Sequence, residues 1–164
     1  LLSLDERVAE LTRRVGHHAQ TYEATQRLMT IPGIGPIIAS ALWACIGDGK
    51  AFANGRQLAA FLGLTPKQHS TGGKTRLLGI HKHGDSYLRG LFVHGARAVQ
   101  RTAVKKTDER SQWLNRLAQR RHPNIATVAQ ANKMARIAWA VLTRGETYQA
   151  NYRQERAGQI PKAA

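Results

Sequence analysis

The run Ile31-Pro32-Gly33-Ile34-Gly35-Pro36 forbids one continuous helix through this part of the chain. Each proline removes a backbone donor, and the two glycines open backbone conformations that allow a tight reversal. Apolar residues at helical spacing lie on both sides, with Leu28 leading in and Ile37 to Ile46 leading out. Pro36 falls where the first turn of the next helix accepts a proline. The chain must therefore build helices joined at a sharp turn. Composition points the same way, because 42% of its residues are hydrophobic while runs of Val, Ile and aromatics are scarce. At 164 residues it is long enough for one domain with its own core, and the fold class read from it is all-α.

A turn of this kind exposes backbone N–H groups at a helix N-terminus, and such groups attract an anion. With its apolar flanks, the segment looks like the helix-hairpin-helix motif, in which Gly33 and Gly35 would meet a phosphate. The plain alternative is an ordinary helix–helix turn.

Along the rest of the chain, Leu4, Val8, Leu11, Val15 and Tyr22 form a heptad stripe with His18 in the intervening seam position. This predicts one long, coiled-coil-like helix over residues 1–28, serving either to pair subunits or to pack on its own domain. The chain starts inside a helical pattern, so the sequence reads as a piece whose N-terminal part is missing. Residues 29–145 read as the main helical domain and 146–164 as a frayed tail. Within the domain, a short helix is expected from Gly55 to Leu62, stopped by Gly63-Leu64-Thr65-Pro66. Residues 67–83 read as a loop or a short hairpin near 67–80, pinned to the core by Leu77, Leu78 and Ile80. A helix capped by Asp85 or Ser86 follows, in which Gly90 and Gly95 point to close backbone packing. A basic helix is then expected before Arg121, after a break near Thr107-Asp108, and a central apolar helix after Pro123. Cys45, the one cysteine, excludes an internal disulfide and reads as buried in its Leu-Trp-Ala-Cys-Ile setting.

Charge narrows the partners. Twenty-five Lys and Arg stand against ten Asp and Glu, a net charge of +15. Between Asp48 and Asp108 the one acid is Asp85, while eleven basic residues occur from Lys50 to Lys106. Residues 1–29, by contrast, hold four acids and four bases. A generic solvated surface mixes the signs, so the middle segment reads as a nucleic-acid contact. No apolar run approaches the ~18–20 residues of a membrane span and no signal peptide is visible, so a cytoplasmic, nucleoid-associated protein is expected.

The most unusual stretch is "KQHSTGGKTRLLGIHKHGD", residues 67–85. It sets Ser70 and Thr71 before Gly72-Gly73, among Lys67, Lys74, Arg76, Lys82 and three histidines. A serine attacks a phosphodiester only if its proton is removed and the anionic transition state is held by cations. The types needed for both are near in sequence, and the glycines would let the backbone approach a phosphate. A basic loop that only holds a strand, with Ser70 as a phosphate hydrogen-bonder, is the alternative. A metal nuclease is poorly supported, since acids are almost absent here and His81-x-His83 lacks a third ligand.

Taken together, "IPGIGPIIASAL", "GRQLAAFLGLTPKQHSTGGKTRLLGIHKHGDSYLRGLFVHGARAV" and the basic helices after them closely resemble the C-terminal half of the Piv/MooV-type (DEDD) insertion-sequence transposases. That family includes the bridge-RNA-guided recombinases. The similarity covers residues 25–145, and its most specific part is the ordered run Leu-Thr-Pro, Ser-Thr-Gly-Gly-Lys, Gly-Ile-x-Lys-x-Gly-Asp and Leu-Arg. The resemblance implies an enzyme in two halves. One is an N-terminal half with four metal-binding acids and a divalent metal such as Mg, absent from this chain. The other is a C-terminal half whose serine attacks DNA and holds it as a phosphoserine. The serine motif falls on Ser70, although many relatives have Ser-Gly directly and Thr71 takes that slot here. Lys67, Gly72, Gly73, Lys74, Arg76, Lys82 and Arg89 become phosphate-positioning groups. DNA, a guide RNA and a second subunit paired through residues 1–28 are the partners implied. The domain alone is expected to bind nucleic acid without recombining it.

Overall fold

The computed structural model describes residues 2–150, so most of the tail expected over 146–164 lies outside the described residues. Seven helices and one two-stranded hairpin make up the described part: α1 (Leu2–Thr21), α2 (Glu23–Met29), α3 (Pro36–Ile46), α4 (Gly55–Phe61), β1 (Pro66–Thr71), β2 (Lys74–Ile80), α5 (Ser86–Ala103), α6 (Glu109–Arg120) and α7 (Pro123–Arg144). The fold is mainly α, as its composition indicates.

Local signals set most boundaries. Asn54 caps α4 by accepting from the amides of Arg56 and Gln57, and Asp85 caps α5 by accepting from Leu88. Asp108 caps α6. Partial burial pushes its carboxyl up, but the Ser111 hydroxyl and amide outweigh this and hold it below the ordinary aspartate range. Pro123 opens α7, and Gly145 closes it in the left-handed conformation.

The central helix is α7, which packs against α2, α4, α5 and α6. Ala126, Ala131, Ala135 and Ala138 are fully or almost fully buried along it, and their small side chains let the neighbouring helices approach. Leu28, Ile31, Leu42, Leu58, Leu62, Leu88, Phe92 and Met134 fill the space around them. Trp139 donates its indole N–H to the carbonyls of Gly49 and Phe52, tying the α3–α4 connection to α7. Tyr148, just beyond α7, returns to the body and donates its amide to the Thr30 hydroxyl at 2.8 Å.

Three expectations need correction. The one long helix expected over 1–28 is two helices over its described residues, because Tyr22 takes an extended conformation and caps the start of α2. The buried Thr25 hydroxyl donates to the Ala19 carbonyl in the last turn of α1 at 2.5 Å and lies 2.7 Å from the Tyr22 carbonyl, tying the two helices together at the break. Leu4, Val8 and Leu11 are at least half exposed, so this part of the stripe is not buried in its own domain. Cys45 is exposed. α3 is apolar all round, and its buried line runs through Ile38 and Leu42 to the half-buried Ile46, which rotates Cys45 outward. Leu77 and Leu78 are exposed rather than pinned, for a reason given below.

The two glycines of α5 part company. A Cβ on Gly95 would sit 2.1 Å from the Gly33 carbonyl oxygen, so here two backbones touch. Around Gly90 nothing lies within 4 Å. Gly95→Ala should therefore destabilise the fold by about 1–3 kcal/mol through overpacking, while Gly90→Ala should stabilise it by about 0.5–1 kcal/mol through helix propensity. Denaturant titration of both variants checks the pair, and equal effects would contradict this packing.

Candidate nucleic-acid interface

The stretch 66–80 folds as a hairpin because its turn residues allow it. Gly72 and Gly73 have φ of +57° and +76°, as a two-residue type I′ connection requires. Thr71 then pairs with Lys74, Ser70 with Thr75, His69 with Arg76 and Gln68 with Leu77, with a bulge between Pro66 and Gln68. Neither strand packs against any helix. A ribbon with nothing beneath it has no side to bury, which is why Leu77 and Leu78 remain in solvent. The hairpin stands away from the helical body as an arm.

Its register sorts the predicted residues. Paired residues share a face and successive residues alternate. Thr71, Lys74, His69 and Arg76 thus occupy one face, while Ser70 lies on the other with Gln68 and Leu77. Gln68 confirms its side by donating its amide to Ser70 Oγ at 2.8 Å. All these residues are exposed. The two hydroxyls therefore separate, and it is Thr71 that shares a face with Lys74 and Arg76.

The arm joins the body at a rigid root. His81 donates its amide to the Thr65 carbonyl, and the His81 ring lies 2.6 Å from the Thr65 hydroxyl through Nε2. Its Nδ1 accepts the amide of His83, so both ring nitrogens are engaged and neither serves as a base for Ser70. Lys82 has φ of +59°, unusual for a residue with a side chain. Arg89 holds that conformation by donating Nη1 to the Lys82 carbonyl at 3.0 Å and, more weakly, to the Leu62 carbonyl at 3.4 Å. Close approach explains Gly84 as well, where a Cβ would fall 1.9 Å from the Phe61 carbonyl oxygen. Arg89 is thus built into the root, while Lys67, Lys74, Arg76 and Lys82 project into solvent. Gly33 and Gly35 lie elsewhere, in the α2–α3 turn, and the Arg110 guanidinium donates to the Pro32 carbonyl in that turn at 2.9 Å.

Sequence reading missed a second basic feature. A groove of about 1800 Å³ separates the base of the hairpin and α4 from α6 and α7. Nine Lys and Arg line it against two acids, Glu109 and Glu146. Arg56, Arg116, Arg121 and Arg136 among them pair with no carboxylate among the described residues. The available signal was the recurrence of Lys133, Arg136 and Arg144 at successive separations of three and eight residues, which puts them on one stripe of α7. Lys133 Nζ sits 4.5 Å from the centroid of the half-buried Trp113 ring. No group of three or more His, Cys, Asp or Glu side chains able to hold a metal occurs among the described residues. Nor is any described helix long and apolar enough to cross a membrane.

Residues 25–112, more than half of the chain and including the whole hairpin, match the model of the transposase IS116/IS110/IS902 family. The chain belongs to that family. It is 53% identical over 148 residues to a probable family 20 transposase of Pseudomonas aeruginosa, covering 90% of this chain and 44% of that protein. With the transposase for insertion sequence element IS1111A of Coxiella burnetii it shares 48% over 148 residues, covering 90% and 41%. The pilin gene-inverting protein of Moraxella bovis is 34% identical over 93 residues, 55% of this chain and 26% of its own length. The chain thus spans less than half the length of the first two relatives.

The root and the arm should respond differently to mutation. Arg89→Ala should cost about 1–3 kcal/mol of stability, since it strands two carbonyls. Arg76→Ala, on the exposed face, should change stability by less than about 0.5 kcal/mol yet weaken DNA binding. Thermal unfolding beside a DNA titration separates the two roles, and a stable, binding-defective Arg89→Ala protein would place that guanidinium on the ligand instead.

Proposed function

We propose that this chain is the serine-bearing half of a DNA transposase, with the 66–80 hairpin as the arm that meets the scissile strand. The observation that carries this reading is the free-standing ribbon, which presents a hydroxyl on one face and a cationic surface on the other. Lys74 and Arg76 grip backbone phosphates, Lys67 and Lys82 extend the grip toward the root, and the turn at Gly72-Gly73 leaves the tip narrow. The amides of Gly33 and Gly35 offer a second phosphate contact on the body, while that of Ile34 is bound to the Ile31 carbonyl.

Ser70 is the proposed nucleophile. Its Oγ forms a bond to phosphorus as the phosphorus–sugar oxygen bond breaks, its proton passes to a base, and the departing sugar oxygen gains a proton. The phosphoserine keeps the strand end in an activated bond until another hydroxyl attacks it. No base reaches Ser70 among the described residues, and Lys74 and Arg76 face away from it. The base and the charge that complete the site come, on this reading, from the other half of the full-length protein, in keeping with the acid-bearing, metal-dependent half implied by the resemblance. A guide RNA and a second subunit, paired through the exposed Leu4, Val8 and Leu11 of α1, complete the proposed assembly.

One specific observation favours a second reading, in which Thr71 is the nucleophile: it shares its face with Lys74 and Arg76. The less hindered hydroxyl of Ser70 is the better attacking group. In the full-length enzyme, Ser70→Ala should abolish strand exchange and the covalent DNA adduct with little loss of DNA binding, while Thr71→Val stays active. The reverse outcome would transfer the role to Thr71, and recombination by both variants would reduce the arm to a strand holder. For pairing, Leu4→Lys with Leu11→Lys should move the sedimentation of this chain toward monomer. A wild-type chain already monomeric at high concentration would remove α1 from the assembly.

A further inference from the structure

The groove between the hairpin root and α6–α7 is chemically unlike the arm. Its floor is apolar, with Val128, Ala129, Ile137 and Ala140 of α7 beside Trp113 of α6. Its rim is cationic, with Arg56, Arg116, Arg121 and Arg136 and no paired carboxylate on any of them. A duplex offers such a groove only its sugar–phosphate exterior and groove edges, because its apolar base faces are stacked inside. An unpaired strand offers both parts, phosphates for the rim and bare base faces for the floor.

We infer that this groove binds an unpaired nucleic-acid strand, with Trp113 as the surface on which a base stacks. The cation–π contact from Lys133 now covers that ring. It yields to a base, since base–indole stacking is the stronger of the two interactions. Asn132 steadies the floor by donating its amide to the Leu64 carbonyl at 3.2 Å, so the wall nearest the hairpin root is fixed to α7. Because Arg110 spends its guanidinium on the Pro32 carbonyl and has an unpartnered Nη1 out of solvent, it shapes the groove from behind and touches no ligand. The inference rests on the nucleic-acid reading above but not on the identity of the nucleophile.

Fluorescence anisotropy with labelled oligothymidine, oligouridine and a duplex, each of about 15 nucleotides or base pairs, tests it at one fixed salt concentration. Trp113→Ala should weaken binding of the single strands about tenfold and Trp113→Phe by less than about threefold, because a phenyl ring still stacks. Arg121→Ala with Arg136→Ala, two exposed changes that leave the core alone, should weaken the same ligands at least about tenfold. Lys74→Ala with Arg76→Ala should instead weaken the duplex and spare the single strands. Preference for oligouridine assigns the groove to RNA, and preference for oligothymidine assigns it to a melted DNA strand; either result supports the inference. It is overturned if the arginine pair leaves single-strand affinity unchanged, or if it weakens duplex and single strand equally. The Ser70 adduct assay is blind to these variants' oligonucleotide affinities, so this inference and the proposed function can fail separately.

Discussion

The close approach of the Gly33 carbonyl to the α5 backbone at Gly95 sets the geometry of the helical body. Around this contact the α2–α3 turn also meets Val99 of α5 and Met134 of α7, while Arg110 of α6 reaches its Pro32 carbonyl. Three helices and a turn are thereby fixed to one another by a few short distances. The buried Arg110 makes no direct salt bridge among the described residues, although its charge helps to hold the Asp108 carboxyl low. Its charge is compensated instead by carbonyl oxygen, with the side-chain oxygen of the buried Gln130 turned toward it and the Tyr148 ring 5.7 Å away. These contacts engage Nε and Nη2 while Nη1 stays unpartnered, and they form only in one geometry, which favours a single packing of α6 and α7 against the turn.

From that body the hairpin extends without helical support, and the difference in construction has mechanical consequences. A two-stranded ribbon is marginal on its own, so its path depends on its root. The root is correspondingly stiff: Gly84 lies under the Phe61 carbonyl, Arg89 holds the strained Lys82, and His81 is engaged at its amide and both ring nitrogens. The arm can therefore adapt along its length to a strand while its point of departure stays constant. Placing the hydroxyls on an arm, rather than in the body, also leaves Ser70 exposed on the side that Lys74 and Arg76 do not occupy.

Two basic surfaces with different chemistry follow from this layout. The arm offers charge without apolar depth on its Lys74–Arg76 face, suited to a phosphate backbone. The groove offers charge over an apolar floor.

Much of this was legible in the chain by itself. The Pro-Gly-x-Gly-Pro turn, the Asp85 cap, the Pro123 start and the short hairpin near 67–80 rest on local constraints, and each operates within a few residues of itself. The excess of positive charge is likewise a property of sequence, as is the run of motifs that marks the family. Other features depended on what lies across space. Only the strand register could part Ser70 from the cations beside it in sequence, because a one-residue step in a ribbon reverses the face. Only packing could tell Gly95 from Gly90, turn Cys45 outward on an evenly apolar helix, break the N-terminal stripe at Tyr22, and bring the Arg89 guanidinium to the Lys82 carbonyl. The groove, too, exists only in three dimensions, since its cations come from α4, α6 and α7 and become one surface when those helices meet.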